Sequence, residues 1–437
     1  MSRSSRMSLR QLWFQVHLWL GVALFVPVIV VCVTGSYEVW QEEIDRLAHP
    51  GRYAVSEGPP LGPGAYLAAA QAAFGDKAQA TAIRLPERAG DPVTVTGMIA
   101  ARGPGAAAGP PRRPMMTAWI DPASGIVLDT ADMSTSFRQT MHRLHGSLLI
   151  AGVGRKVVGW LGWALLASAL TGIWLWWPRN GKLAKAFRFR RTPDLLLNLH
   201  YMAGFWIAIP LAVLALTGAL ISFPQTARGI VGTVAPMGDQ PVRRGPPGFG
   251  QAPLERTALT ADQAAQSALA AAPGASLRSL NLPTRPPRGE APRGEGARQG
   301  AERQSAGRQS AGRQGAGPQG AGPQGGREGR GPSWRAQLAG PAGESIAVTV
   351  SDRTGAARVE PARAVPAGEN ILRWNRRLHD GEGTGLVWKL VITVAGIVPL
   401  LLGVTGFVVW LQRQRRKAAM RRRLADDGTV PAPASGE

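Results

Sequence analysis

The residues of this chain best suited to metal chemistry are its histidines, and four of the six form two related pairs. His17 and His200 each begin a long apolar segment, whereas His145 and His379 each stand 12 residues before one. Superposing the segments at these histidines also matches Gly21 with Gly204, Pro27 with Pro210, Thr34-Gly35 with Thr217-Gly218, Arg143-Leu144 with Arg377-Leu378, Gly162 with Gly396, Thr171-Gly172 with Thr405-Gly406 and Trp176 with Trp410. Repeated matches at a constant offset predict that the chain consists of two copies of one arrangement.

Histidines paired in this way, without clustered carboxylates or cysteines, favour haem over other metal centres. Neutral imidazoles from two helices can bind a haem iron from both faces, which gives a low-spin centre for electron transfer. A zinc or copper site would bring Asp, Glu or Cys into the same cluster. The single cysteine, Cys32, excludes the C-x-x-C-H attachment of covalent haem. The other interpretation is that these histidines are interfacial residues bonded to lipid headgroups or backbone.

The pattern therefore predicts two non-covalent haem b groups, with the pairing of histidines on each haem left open. The predicted iron ligands are His17, His145, His200 and His379. His142 aligns with Arg376 and is a weaker candidate, as a non-equivalent or exchangeable axial ligand. Arg155 and Lys389 align with each other and are candidates to bind the haem propionates, although snorkelling to lipid phosphate explains them equally well. The four Thr-Gly pairs are predicted to allow close helix packing.

The elements that must position these histidines are membrane-spanning helices. The chain has 437 residues, 45% of them hydrophobic, and a net charge of +22. A helix needs about 20 apolar residues to cross a bilayer, and the segments of that length are residues 18–37, 157–177, 203–223 and 391–410. Basic residues cluster before the first segment, between the second and third, and after the fourth. The charge therefore indicates membrane topology rather than nucleic-acid binding, for which the chain has no recognition motif.

The basic clusters predict that both termini are cytoplasmic and that two long loops are exported. Each loop is predicted to be a small α+β module, because a helix-forming stretch at 66–74 or 261–271 precedes short strands and a turn. The fold class is thus an α-helical membrane protein with four transmembrane helices in two repeated halves, plus two exported α+β modules. Five-residue repeats rich in Arg, Gln and Gly predict a disordered insertion in the second loop.

These assignments predict the organisation of the whole chain. Its parts are residues 1–40 (N-terminal segment and first transmembrane helix), 41–137 (first module), 138–178 (interfacial histidine segment and second helix), 179–198 (basic cytoplasmic loop), 199–223 (third helix), 224–370 (second module, with the insertion at 284–332), 371–411 (interfacial histidine segment and fourth helix) and 412–437 (basic cytoplasmic tail). His145 and His379 are thereby predicted to lie at the outer membrane surface.

This pattern resembles the PepSY-associated transmembrane family of bacterial inner-membrane proteins. The features that carry the resemblance are Val16-His17-Leu-Trp-Leu-Gly21, His142-Arg-Leu-His145-Gly-Ser-Leu-Leu149, Leu199-His200-Tyr-Met-Ala-Gly204 and Arg377-Leu-His379, with Ile83-Arg-Leu-Pro86 and Ile120-Asp-Pro-Ala-Ser-Gly125 in the first loop. The resemblance implies a multi-pass inner-membrane protein whose exported loops are periplasmic PepSY-like modules.

The resemblance also implies a function. The family includes iron-regulated proteins linked to siderophore uptake, among them di-haem reductases of ferric siderophores and relatives fused to flavin reductase modules. It therefore implies an oxidoreductase that passes electrons through the lipid bilayer, from a cytoplasmic flavin reductase or a quinol to a periplasmic ferric siderophore or other iron chelate. One alternative is a non-enzymatic membrane protein whose PepSY modules bind a peptidase or envelope partner. Another is an iron transporter, which the lack of charged residues in the four segments disfavours.

The topology is testable with reporter fusions. We expect fusions within residues 179–191 and after Trp410 to report a cytoplasmic location, because basic flanks stay on the cytoplasmic side. Fusions within residues 41–137 and 224–385 should report a periplasmic location. Paired alkaline phosphatase and green fluorescent protein fusions measure this, since each is active on one side only. Phosphatase activity from the fusion within 179–191 would contradict the scheme.

Overall fold

The computed structural model describes residues 8–99, 115–178, 192–238, 253–254, 256–284, 331–361 and 364–426. Most of the predicted insertion at 284–332, most of the predicted loop at 179–198 and the end of the predicted tail at 412–437 lie outside the described residues. The chain divides into two compact units. A helical unit comprises Met1–Asp45, Thr135–Asp239 and Ala364–Glu437, and a sheet unit comprises Arg46–Ser134 and Gln240–Arg363.

The described helices and strands follow one another in a simple order. They are α1 (Leu9–Val39), α2 (Gln41–Ala48), a 3₁₀ helix (Pro50–Tyr53), α3 (Pro63–Phe74), β1 (Ala78–Arg84), β2 (Val93–Ile99), β3 (Met115–Ile120), β4 (Val127–Asp132), α4 (Phe137–Ser147), α5 (Gly154–Trp176), α6 (Leu195–Ser222), α7 (Pro224–Gly232), α8 (Ala261–Ala270), β5 (Ser276–Asn281), β6 (Ser333–Ala339), β7 (Ser345–Ser351), β8 (Ala357–Val359), α9 (Ala367–Asp380) and α10 (Gly385–Asp426). Four of them, α1, α5, α6 and α10, are long and apolar enough to cross a membrane. The prediction of a helical membrane protein is confirmed at this level.

Two of the spanning helices begin before their apolar segments because polar residues cap them. Ser8 and Gln11 form a capping box at the start of α1, where the Ser8 hydroxyl accepts a hydrogen bond from the Gln11 amide at 3.3 Å. Asp194 caps α6, and its carboxylate accepts from two backbone amides of the first turn. His17 and His200 consequently lie inside their helices rather than at the first residue.

Glycines bring the spanning helices close together in two places. A Cβ at Gly162 of α5 would lie 3.1 Å from the carbonyl oxygen of Ala215 in α6. A Cβ at Gly396 of α10 would lie 3.0 Å from the carbonyl oxygen of Cys32 in α1. Any larger side chain at either position would push its helix away from the neighbour, so small residues are what these crossings require. α5 thus packs closely on α6, and α10 packs closely on α1.

Two short helices, α4 and α9, carry the histidines that were predicted to lie at the interface. α4 packs against α1, and α9 packs against α6. The chain turns sharply after each helix. Leu148 and Leu149 adopt φ angles of 50° and 58° after α4, which non-glycine residues seldom do, whereas Gly381 ends α9 at a φ of 78°. These turns place His145 and His379 beside the spanning helices instead of at the end of one long unbroken helix.

The sheet unit contains one antiparallel sheet of eight strands, in the order β4-β3-β2-β1-β5-β6-β7-β8. β1 and β5 are neighbours, with Ile83 opposite Leu280, so strands from both predicted modules share one sheet. α3 packs on buried residues of β1 and β2, and α8 packs on buried residues of β5 to β7. Neither the β1–β5 pairing nor strands β6 and β8 are apparent from the sequence, because the pairing joins distant segments and β6 directly follows the Arg/Gln/Gly repeats.

Two buried carboxylates hold the loops that lead into α3 and α8. Asp121 accepts hydrogen bonds from the Ser56 amide at 3.0 Å and the Ser124 hydroxyl at 2.5 Å, and another from the Ser56 hydroxyl. Asp352 accepts from two backbone amides and from the Trp334 indole at 2.8 Å. Burial opposes ionisation of Asp121, but its hydrogen bonds outweigh that effect and lower the pKa of the carboxyl to about 2.

Replacing Asp121 with Ala should loosen the loop before α3. Hydrogen bonds to a charged group contribute about 1.5–3 kcal/mol, so the free energy of local opening should fall by that order. Because the folded-state pKa is depressed, the carboxylate stabilises the loop fully above the ordinary Asp pKa and progressively less as the pH falls towards 2. Hydrogen–deuterium exchange of residues 54–62 at neutral pH measures the effect, with the exposed Glu87→Ala as control. Equal protection in Asp121→Ala and the unmodified protein would show that the carboxylate does not hold this loop.

Candidate functional site

Four histidines meet as two pairs within the helical unit, and they are the four predicted iron ligands. The ring centroids of His17 and His200 lie 6.4 Å apart, with the ring planes at 78°. The centroids of His145 and His379 lie 6.0 Å apart, with the planes at 42°. Two metal–nitrogen bonds of about 2.0 Å would put the bonding nitrogens of opposed imidazoles about 4 Å apart, and the ring radii add the rest of the centroid separation. Each pair is therefore spaced like two axial ligands of one metal ion.

The two pairs lie at different depths along the spanning helices. In α1, 17 residues separate His17 from Thr34, which contacts His145. In α6, the spacing from His200 to the threonine that contacts His379 is also 17 residues. At about 1.5 Å per residue, both helices separate the two pairs by about 25 Å. This distance approaches the thickness of the hydrocarbon core of a bilayer, about 30 Å.

Each of the four histidines packs against a Thr-Gly pair on a neighbouring helix. The distances from imidazole Nδ1 to threonine Oγ1 are 3.1 Å for His17 and Thr171, 3.4 Å for His145 and Thr34, 3.2 Å for His200 and Thr405, and 3.1 Å for His379 and Thr217. The glycine after each threonine makes room for the ring. A Cβ at Gly218 would lie 2.7 Å from His379 Cε1, which is closer than two carbons can approach. The Thr-Gly pairs, predicted to serve helix packing, thus face the histidines.

A cavity of about 500 Å³ opens beside His17 and His200. Its mostly apolar lining includes two stacked aromatic pairs, Trp176 with Phe205 at 3.9 Å between centroids and Phe25 with Phe407 at 5.0 Å. Gly21 also lies in the wall, where a Cβ would meet no atom within 4 Å. Pockets that hold cofactors measure about 300–1,000 Å³ and are predominantly apolar. The space beside these two histidines therefore suits a large, mainly apolar cofactor.

The second pair of histidines lies on α4 and α9, outside the four spanning helices. Burial lowers the pKa of both His145 and His379, because an imidazolium would lose its solvation there. Both rings are therefore neutral at physiological pH. A neutral imidazole keeps one nitrogen lone pair for a metal.

The weaker candidates do not join either pair. His142 Nδ1 lies 3.3 Å from a carboxylate oxygen of Glu38, and its side chain is 55% exposed. Lys389 forms an ion pair with Glu43 at 3.0 Å. Arg155 donates a hydrogen bond to a backbone carbonyl of α6 at 2.5 Å. Each of these side chains thus has a protein partner away from the histidine rings.

Two arginines that the charge pattern assigns only to topology also line the cavity. Arg10 donates a hydrogen bond to the Leu175 carbonyl at 3.2 Å, and Arg413 lies over the Phe14 ring at 5.3 Å. Arg10 stands seven residues before His17, which is two helical turns along the same face. Arg413 stands in the same relation to a cavity-lining glycine of α10. This seven-residue spacing is the sequence signal that could have found both arginines.

Comparison with known protein families gives one match. The family model described as the PepSY-associated TM region matches residues 14–413, which is nearly the whole chain and includes all four paired histidines. A search of curated proteins finds no match to the chain.

Proposed function

The chain belongs to the PepSY-associated transmembrane family, and from that premise we propose that it is a haem-containing oxidoreductase of the bacterial inner membrane. It passes electrons across the membrane and reduces a periplasmic ferric chelate, such as a ferric siderophore, for iron uptake. The observation that carries the proposal is the pairing of His17 with His200 and of His145 with His379, at centroid distances of 6.4 and 6.0 Å.

The donor set of each pair fits haem b. Each pair offers two imidazoles, and among the described residues no group of three or more His, Cys, Asp or Glu side chains is placed to hold a metal ion. A metal that brings its equatorial ligands with it, as haem iron does, needs only two axial donors from the protein. When bound, haem supplies one-electron chemistry.

The cavity beside His17 and His200 fits the same group. Its volume, its aromatic walls and the open space over Gly21 accommodate a large planar ring system. Arg10 and Arg413 line the same cavity, and guanidinium groups pair well with carboxylates such as haem propionates. In this proposal the two histidines are the axial ligands and the two arginines hold the propionates. Arg155 and Lys389 remain weak candidates for the second haem.

The separation of the pairs supports transfer across the membrane. With both termini in the cytoplasm, the His17–His200 pair lies towards the cytoplasmic face and the His145–His379 pair towards the periplasmic face, about 25 Å apart along α1 and α6. The two copies of helix, exported segment and helix then form two repeated halves. The sheet unit corresponds to two periplasmic PepSY-like modules. The electron donor is a cytoplasmic flavin reductase or a quinol in the bilayer.

Reduction is a chemically sufficient way to release iron from a chelate. Ferric iron is a hard cation that oxygen donors bind tightly, whereas ferrous iron binds the same donors more weakly. The addition of one electron changes the oxidation state of the metal and leaves every bond of the chelator intact. The freed ferrous ion is then available for uptake, and the chelator can be used again.

Haem content tests the ligand assignment. We expect about two b-type haems per chain, because each histidine pair completes the coordination of one iron. The double variants His17→Ala/His200→Ala and His145→Ala/His379→Ala should each keep one haem, since the apolar helix surfaces are unchanged. A pyridine haemochrome assay on the purified protein gives the stoichiometry.

The matched control is His142→Ala, which removes an exposed histidine outside the pairs and should keep both haems. Full haem content in the variant that lacks all four paired histidines would show that the ligands lie elsewhere.

Reoxidation by a ferric chelate tests the reaction. Protein reduced with dithionite should reoxidise rapidly when a ferric hydroxamate is added, because the chelated iron accepts the electron. Stopped-flow absorbance follows the haem, and a colorimetric ferrous chelator traps the product. Metal-free hydroxamate is the control. Haem that stays reduced across a panel of ferric chelates would place the protein in another electron-transfer pathway, and protein without haem would favour the non-enzymatic alternative, binding to a peptidase or envelope partner.

A further inference from the structure

We propose that Thr34, Thr171, Thr217 and Thr405 are positioning residues that fix the tautomer of the paired histidines and thereby tune the metal bound between them. The tuning rests on the proposed function, because it assumes that this metal is haem iron. The tautomer does not depend on haem. It follows from the surroundings of the four Nδ1 atoms, each of which lies 3.1–3.4 Å from one threonine hydroxyl.

Each threonine hydroxyl directs its proton at its own helix backbone. The Oγ1 atoms lie 2.7–2.8 Å from the carbonyl oxygens four residues earlier, which are those of Val30, Ala167, Val213 and Leu401. A hydroxyl has one proton and two lone pairs. When its proton is used on the backbone, it can only accept a hydrogen bond from the imidazole. The imidazole Nδ1 is then the donor.

A second acceptor faces each Nδ1 atom. It is the carbonyl three residues before the threonine, with Val31 at 2.9 Å from His145, Ser168 at 3.1 Å from His17, Leu402 bonded to His200 and Leu214 bonded to His379. A carbonyl has no proton to donate. Both neighbours of every Nδ1 atom are therefore acceptors, and the hydrogen of a neutral ring must sit on Nδ1.

The consequence for metal binding is the same at all four sites. A ring protonated at Nδ1 carries its lone pair on Nε2, and this is the nitrogen left to bind a metal. The membrane interior offers no water to an unbonded N–H group, so the threonine and carbonyl also hold the ring in one orientation. The adjoining glycine gives the ring the space to lie there, as at Gly218 and Gly35.

The same hydrogen bond affects the electronic properties of the ligand. An acceptor on Nδ1–H makes the opposite nitrogen more basic, which is how surrounding groups tune metal-bound histidines. A more basic axial ligand stabilises ferric over ferrous iron and lowers the reduction potential. Removing the hydroxyl should therefore raise the potential of one haem and weaken its binding about 10–100-fold.

The test compares Thr217→Val with Thr217→Ser in the full-length protein. Valine keeps the volume of threonine and loses the acceptor, whereas serine keeps the hydroxyl. We expect the valine variant to raise the midpoint potential of one haem and to weaken haem binding about 10–100-fold, and the serine variant to match the unmodified protein. Spectroelectrochemical titration measures the potentials, and haem titration of the apoprotein measures the affinity.

Thr393→Val is the matched control. Thr393 makes the same backbone bond, to the Lys389 carbonyl at 2.8 Å, but its hydroxyl accepts from the Trp40 indole at 2.7 Å instead of a histidine. Its loss should leave both potentials unchanged. Unaltered potential and affinity in Thr217→Val, or an equal shift in Thr393→Val, would reduce the threonines to packing residues and overturn the proposal.

Nitrogen-15 NMR of histidine-labelled apoprotein separates this proposal from the proposed function. We expect all four paired histidines to be protonated at Nδ1. Protein that binds no haem but shows this tautomer would refute the haem function and uphold the role of the threonines in fixing the tautomer. Rings protonated at Nε2 in the unmodified apoprotein would overturn the inference, whether or not haem binds.

Discussion

An imidazole among membrane helices needs a partner for each ring nitrogen, and this requirement organises the helical unit. Water does not reach the apolar core of a bilayer, so the protein must satisfy one nitrogen itself. Each paired histidine meets that need at Nδ1, through a threonine hydroxyl and a backbone carbonyl of a neighbouring helix. The other nitrogen is then available to a group shared by two rings.

The division of labour among the helices follows from this contact. α1 carries His17 and also supplies Thr34 to His145, and α6 carries His200 and supplies the corresponding threonine to His379. These two helices therefore connect both pairs and set the distance between them. The crossings at Gly162 and Gly396 fix α5 on α6 and α10 on α1, and so keep the remaining threonines in place. A displacement of α1 or α6 would disturb both pairs together.

The sequence predicts what depends on local pattern and on repetition. Apolar segment length identifies the four spanning helices, and the constant offset between the copies singles out the paired histidines. The family prediction is confirmed by the match over residues 14–413, while the ligand assignment stays a prediction. The partner of each histidine depends on which helices are neighbours, and apolar composition does not encode that. The turn at Leu148 and Leu149 is equally hidden, because leucine seldom adopts a positive φ.

The central claim is that each histidine pair holds one haem iron from both sides. Electron paramagnetic resonance of the oxidised, full-length protein tests it most directly, because two imidazole ligands give low-spin ferric haem. The ring planes meet at 78° in one pair and at 42° in the other, so two distinct low-spin signals are expected. A spectrum dominated by high-spin ferric haem, or one without a haem signal in protein supplied with haem, would contradict the account.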